Sequence, residues 1–322
     1  MNITMNNKIS EYNANIGHEF DKQSAELKAK NLRYTKAYIG FLASGAVFAD
    51  LGGLIDSKIS FTIAFMSTAL SFWFYRQKQI KNFTEQWTYT RVIAETFKSE
   101  WFKFVVGGGD YPKKLDEEES LVKEEFKKKL REFFDEYKES MHHLKADYIK
   151  DVDMSLDEKS LEIRTWDLEK RLEYYQKNRM EDQKNWYEQR STEMGKLHDK
   201  YNSLFKWAVG IGTAVGALML LDIFSSQFLN PGLLKENDFF SILIAAGFTF
   251  DALNSALQYE RLNIAYKKSF NELSDAIREM DDDNNDVKFK EKVFNEFVED
   301  IENKISSEHK SWSLTTSTKN IH

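Results

Sequence analysis

Asp251, Asn254 and Gln258 recur at i, i+3 and i+7 in and just after an apolar stretch, Phe239 to Leu257. If that stretch is a helix, the spacing puts all three on one face. A carboxylate deep in a membrane helix costs about 2.5–3.5 kcal/mol, so it faces a cavity or a partner. Two chemistries follow. The carboxylate could line a cation-attracting path, or it could be protonated or hydrogen-bonded to a neighbouring helix and hold a bundle together. Asp50 and Asp222 repeat the theme, each near the far end of an apolar block, and Ser67 with Ser71 give a weaker polar strip.

Bond-making chemistry is poorly supplied. The chain has no cysteine, which excludes thiolate catalysis, disulfides and Cys-ligated metals. His18, His142, His143, His198, His309 and His322 lack the carboxylate spacing of a zinc site. Gly107-Gly108-Gly109 has no GK[ST] ending and no strand before it, so it reads as a helix stop and not as a phosphate loop. The acidic run Asp281 to Asp286 lacks the glycine and terminal glutamate of a calcium loop and reads as a solvated turn. No catalytic residue, cofactor site or metal site is predicted, and the chain reads as a non-enzyme.

The elements that carry these residues are legible from hydropathy. The 322 residues are 30% charged, with a mean hydropathy of -0.57, yet the apolar residues are gathered into four blocks. Two prolines and 14 glycines leave little punctuation, which favours long helices. The blocks run Ala37 to Ile55, Ile59 to Tyr75, Trp207 to Leu221 with an extension to Phe224, and Phe239 to Leu257. Asp56 to Lys58 joins the first two and Ser225 to Asp238, with Pro231-Gly232, joins the others, so each pair reads as a helical hairpin. The fold class predicted is an all-α membrane protein with four transmembrane helices in two hairpins plus long cytoplasmic amphipathic helices. Lysine and arginine flank the open ends of both hairpins (Lys28, Lys30, Arg33 and Lys36 before the first, Arg261, Lys267 and Lys268 after the second), while the tips offer Lys58 and Lys235. Both termini are therefore expected in the cytoplasm. Gly212 with Gly216, Gly40 with Ser44 and Gly45 with Ala49 carry the small-xxx-small spacing of close helix contacts.

Between the hairpins, Val122, Phe126, Leu130, Phe133, Tyr137, Met141, Leu144 and Tyr148 mark an amphipathic helix. Ser155 with Glu158 makes a capping box for the next helix, through Leu161, Leu168, Leu172 and Tyr175, continuing into block three. After block four a helix carries Leu262, Tyr266, Leu273 and Met280. Val293, Phe297, Ile301 and Ile305 mark the last one, and the tail from Ser313 reads as disordered. The order of basic helix, hairpin and amphipathic helix occurs twice, which reads as two related halves. A net charge of -7 argues against nucleic acid as a partner.

Two stretches are more specific. Trp87-x-Tyr-x-Arg91-x-x-Ala-Glu95-x-x-Lys98-x-Glu-Trp101, followed by Asp110-Tyr111, comes directly after the first hairpin. Tyr174 and Arg179, then Asp182-Gln183-x-x-Trp186-Tyr187, come directly before the second. With the paired hairpins these resemble the SLATT superfamily, the two-transmembrane effector domains of bacterial conflict systems that accompany nucleotide-signal synthases or sensors. The resemblance implies a first domain over 1–111, a connecting helix over 112–154, a second domain over 155–312 and a tail over 313–322. It also implies a pore-forming or membrane-disrupting effector, homo-oligomeric, at the bacterial inner membrane. A signal-producing or sensor partner, or a nucleotide second messenger, would trigger it against phage and arrest or kill the host. The alternative is a membrane-anchored scaffold that recruits a partner through its cytoplasmic helices. Trp87, Arg91, Glu95, Trp101, Tyr111, Arg179, Gln183, Trp186 and Tyr187 are of the type that hold helices together by aromatic and charge-assisted contacts. A ligand site made by the same residues is the other reading.

Overall fold

The computed structural model describes residues 16–51, 56–114, 116–138, 158–220, 238–283 and 291–317, and among them every regular element is a helix. In chain order they are α1 (Ile16–Asp50), α2 (Ser57–Lys81), α3 (Phe83–Val106), α4 (Asp116–Lys138), α5 (Glu158–Thr165) and α6 (Leu168–Tyr175). A π-helical turn (Gln176–Met180) follows, then α7 (Glu181–Leu220), α8 (Asp238–Leu257), α9 (Tyr259–Asp283) and α10 (Glu291–Ser317). Asp222, the Pro231-Gly232 connection, the histidine pair, Met141, Leu144, Tyr148 and Ser155 lie outside the described residues.

The all-α expectation agrees with these elements, but the expectation of four transmembrane helices is corrected. Among the described residues no helix is long and apolar enough to cross a membrane. The physical reason is dilution. Ser60, Thr62, Ser67, Thr68 and Ser71 interrupt the apolar run of α2, and Asp251 and Asn254 interrupt that of α8. In α1 and α7 the apolar block is one end of a long helix whose other end is charged.

The chain divides into two compact units. One comprises 29–83 and 190–264. In it α1 and α2 run antiparallel: Ser60 donates its hydroxyl to the Phe48 carbonyl, and Ser71 donates to the Tyr38 carbonyl at 2.7 Å. The buried positions of α2 are Ser60, Ala64, Ser67 and Ser71, while Phe61, Phe65, Phe72 and Trp73 are at least half exposed. Small and polar residues face the partner helix, joined near the C-terminal end of α2 by Phe74, which stacks on Phe41 of α1, while Phe61, Phe65, Phe72 and Trp73 face outward. A water-soluble bundle has the opposite arrangement. At Gly45 an added Cβ would lie 2.6 Å from Thr68 Oγ1 and 3.3 Å from the Ala64 carbonyl, so α1 touches α2 there. Likewise α7 meets α8: a Cβ at Gly212 would lie 3.1 Å from Ile244, and one at Gly247 2.8 Å from Val209. These small residues serve contacts inside each hairpin. Gly40 has nothing within 4 Å of its Cβ position.

The other unit comprises 1–28, 84–189 and 265–322. Its core is the inward face of α3, met by Val122, Phe126 and Leu130 of α4 and by Phe294, Val298 and Ile301 of α10. The buried stripe of α10 is thus shifted from the expected one, since Val293 is half exposed while Phe294 and Val298 are fully buried. That helix also runs past Ser313, where a disordered tail was expected. The glycine run ends α3 as expected. Gly107 and Gly109 take positive φ (72° and 56°), and a Cβ on Gly108 would overlap Val298. Two breaks carry neither proline nor glycine. The helix expected to run from Glu158 onward stops at Thr165, and Asp167 caps α6 by accepting from the Lys170 amide at 2.9 Å. Gln258, at φ 53°, separates α8 from α9.

Candidate functional site

α3 begins one residue past Asn82, whose left-handed conformation (φ 45°) ends α2. Its length of 24 residues lets motif residues at 87, 91, 95, 98 and 101 fall along one side of the helix. Trp87 is buried with the Lys28 ammonium 5.5 Å from its ring. One turn on, the Arg91 guanidinium stacks over Trp186 at 4.9 Å, and Trp186 packs edge-on against both Tyr187 and Tyr266. Gln183 is half-buried on the same helix.

Glu95 stands 3.7 Å from Lys98 and 4.0 Å from Arg179, and Lys98 makes a 2.7 Å ion pair with Asp21 of α1. Burial opposes the charge on Lys98, but Glu95 and Asp21 outweigh it and hold its ammonium above the ordinary lysine range. Trp101 is 1% exposed and edge-on to Phe102. Tyr111 donates to Glu100 at 2.6 Å, and burial together with that carboxylate pushes its phenol well above the usual tyrosine range. Lys129 of α4 pairs with Glu100 and with Asp110, and its hydrogen bond holds the Asp110 carboxyl below the ordinary range.

The deepest part is the Arg179–Glu302 pair, 1% and 0% exposed. The guanidinium grips the carboxylate with two bonds, Nε to Oε1 at 2.9 Å and Nη2 to Oε2 at 2.8 Å. Tyr175 donates its hydroxyl to the same Oε1 at 3.0 Å, and the guanidinium lies 5.3 Å above the Phe102 ring. A bidentate arginine in a dry core stays charged; burial works against it, but Glu302 more than compensates.

Two further buried arginines close the end of α3. Arg164 donates to the carbonyls of Phe104, Tyr111 and Pro112 and pairs with Glu119. Arg171 donates to the Val106 carbonyl at 2.6 Å and pairs with Glu291. They satisfy the carbonyls that a helix terminus leaves orphaned. Arg164, Arg171 and Glu302 were not singled out from the sequence, and Tyr175 was read only as part of the apolar face of its helix. Glu302 had a signal, because it is a carboxylate inside the buried stripe Val298, Ile301, Ile305.

The structure therefore brings Trp87, Arg91, Glu95, Trp101, Tyr111, Arg179, Trp186 and Tyr187 into one unit, with Gln183 beside them. Its polar groups are turned on one another, and the described residues hold no group of histidines and carboxylates able to bind a metal. Of the residues expected to form an intramembrane polar path, Asp222 lies outside the described residues. Asp251 is exposed, whereas Asn254 turns toward His198 of α7, 3.2–3.4 Å from Nδ1. Gln258 lies beyond the end of α8, so the expected three-residue face does not exist. Asp50 is half-buried at the last position of α1.

Comparison with known proteins bears on the same regions. A family model described as SMODS and SLOG-associating 2TM effector domain 3 matches residues 15–172. One described as SMODS and SLOG-associating 2TM effector domain 1 matches residues 175–312. No curated protein and no solved structure matches the chain.

Proposed function

From a chain that belongs to the SLATT superfamily, with two such effector domains in tandem, we propose a membrane-disrupting effector of an anti-phage conflict system. It acts at the bacterial inner membrane as a homo-oligomeric pore, with both termini in the cytoplasm. A SMODS- or SLOG-type partner protein, or the nucleotide signal such a partner makes or senses, sets it off. The chain itself performs no catalysis. Its product is loss of the membrane barrier and arrest or death of the infected cell.

One observation carries the reading: the hairpin α1–α2 is built inside out. Ser60, Ala64, Ser67 and Ser71 face the partner helix, and Phe61, Phe65, Phe72 and Trp73 face outward. Helices that associate in lipid use small and polar residues between them. An outward apolar face of this size on a lone chain asks for lipid or for further copies. Exposed Asp251, on α8, is the carboxylate that a cation path would use.

The test is depolarisation of cells that carry the chain together with its genomic partners during phage challenge. A potential-sensitive dye should report collapse with the wild-type chain and a much weaker response with Phe65→Ser/Phe72→Ser. Asp251→Asn should keep the collapse but alter cation-over-anion selectivity in planar bilayers. Intact potential through the arrest of growth would overturn the pore and leave the scaffold reading, a membrane-anchored chain that recruits a partner through its cytoplasmic helices.

A further inference from the structure

Between α6 and α7 the helix carries one π-helical turn, Gln176–Met180, closed by the Glu181 amide donating to the Gln176 carbonyl. Such a turn holds one residue more than an α-helix needs, and turns of this kind recur at functional sites. Asn178 compounds the irregularity. Its side-chain amide donates to the Tyr174 carbonyl at 2.9 Å and so takes up the acceptor that a regular ladder would offer to the main chain. Next to it is Arg179, buried and held by the Phe102 ring and by Glu302, which also accepts from Tyr175. Lys177, by contrast, is exposed. A fully buried ion pair is weak evidence for stability, and its best-attested use is to fix a register.

We propose that the Gln176–Met180 turn is a two-position register switch for α7, held in the position seen here by the Arg179–Glu302 pair. If Arg179 leaves Glu302, the turn can rewind as α-helix. One residue of rewinding rotates everything beyond it by about 100° and moves it about 1.5 Å along the axis. α7 beyond the turn presents Trp186 and Tyr187 to Tyr266 and continues into the apolar stretch from Trp207. Rotation would withdraw those rings and present another side of the helix. That the switch serves to release an effector rests on the function proposed above; that the turn has two positions does not.

Amide hydrogen exchange on the full-length chain tests it, with a variant that weakens the latch and one that removes the extra residue. In the wild type, amides 177–181 should exchange at least about tenfold faster than those of the flanking turns at 170–175 and 187–194, because the turn opens on its own. Glu302→Gln should speed them by about a further tenfold, and by more than it speeds the amides of α3 and α4. Deleting Lys177 leaves a plain α-helix with α7 in its present register, so exchange there should fall to that of the flanking turns. The switch is overturned if wild-type exchange is level across 170–194, or if Glu302→Gln speeds exchange everywhere alike. The wild-type comparison needs no variant to fold. Cells that keep their potential while the exchange pattern is as expected would count against the pore and leave the switch standing.

Discussion

Arg179 and Glu302 are each withdrawn from water, so either one alone would be a stranded charge. Glu302→Ala should lower the unfolding free energy by about 3–5 kcal/mol, the usual cost of breaking a buried pair. The double variant Arg179→Met/Glu302→Leu should recover most of it, because no charge is then left behind. Urea denaturation of both decides, and equal losses would mean that packing and not charge is at stake. Tyr175 and Tyr111 are held well above the ordinary tyrosine range by burial first and by Glu302 and Glu100 next. A phenol whose folded pKa is raised contributes stability fully below its unfolded pKa, about 10, and loses it as pH rises beyond that. Alkaline titration should therefore show part of the phenolate absorbance arriving together with loss of helical signal above about pH 10. Complete ionisation of the tyrosines at retained helicity would show that these two are accessible. At this scale the sequence was informative where the motif residues are long and aromatic. It was silent on Arg164 and Arg171, whose partners are main-chain carbonyls and two carboxylates, Glu119 and Glu291, too distant along the chain to leave a local pattern.

Among the elements, the two hairpins return as their apolar blocks suggested, and their glycines can be ranked by what surrounds them. Gly45→Leu forces a side chain against Thr68 and the Ala64 carbonyl, and should cost about 1–3 kcal/mol, seen as a lower thermal midpoint. Gly40→Ala meets nothing and should gain roughly 0.5–1 kcal/mol from helix propensity. If the two behave alike, α1 and α2 do not touch as described. Gln258 holds a left-handed conformation that costs an ordinary residue about 1–2 kcal/mol, so Gln258→Gly should raise the thermal midpoint and Gln258→Val lower it. The breaks at 166 and 258 were hidden because neither contains proline or glycine. Hydrophobic period runs straight through both, and the one local signal, the Asp167 cap at the first, is a single aspartate in a charge-rich stretch. The same period concealed the inside-out face of α2, since hydropathy records how apolar a block is and not which way its small residues look.

For the molecule as a whole, one compact unit is assembled from segments 1–28, 84–189 and 265–322. It draws on both matched regions, 15–172 and 175–312. Tandem domains are visible in a sequence, but sharing one core between them is not, because the pairs that join the two regions, Glu95–Arg179 and Lys103–Glu299, lie far apart along the chain. Residues 1–174 expressed alone should accordingly lack native protection in α3, and should regain it when 175–322 is supplied as a separate chain. Native-like exchange in the first fragment by itself would refute the shared core.

The reach of the Arg179–Glu302 pair along the chain also sets a schedule for synthesis. Glu95 and Arg179 leave the ribosome well before Glu302 does, and at about 5–20 residues per second the arginine waits roughly 6–25 s for its counterion. During that interval both hairpins have been translated while the shared core cannot close. A chain interrupted before Glu302 thus displays the exposed apolar face of α2 with the latch still missing.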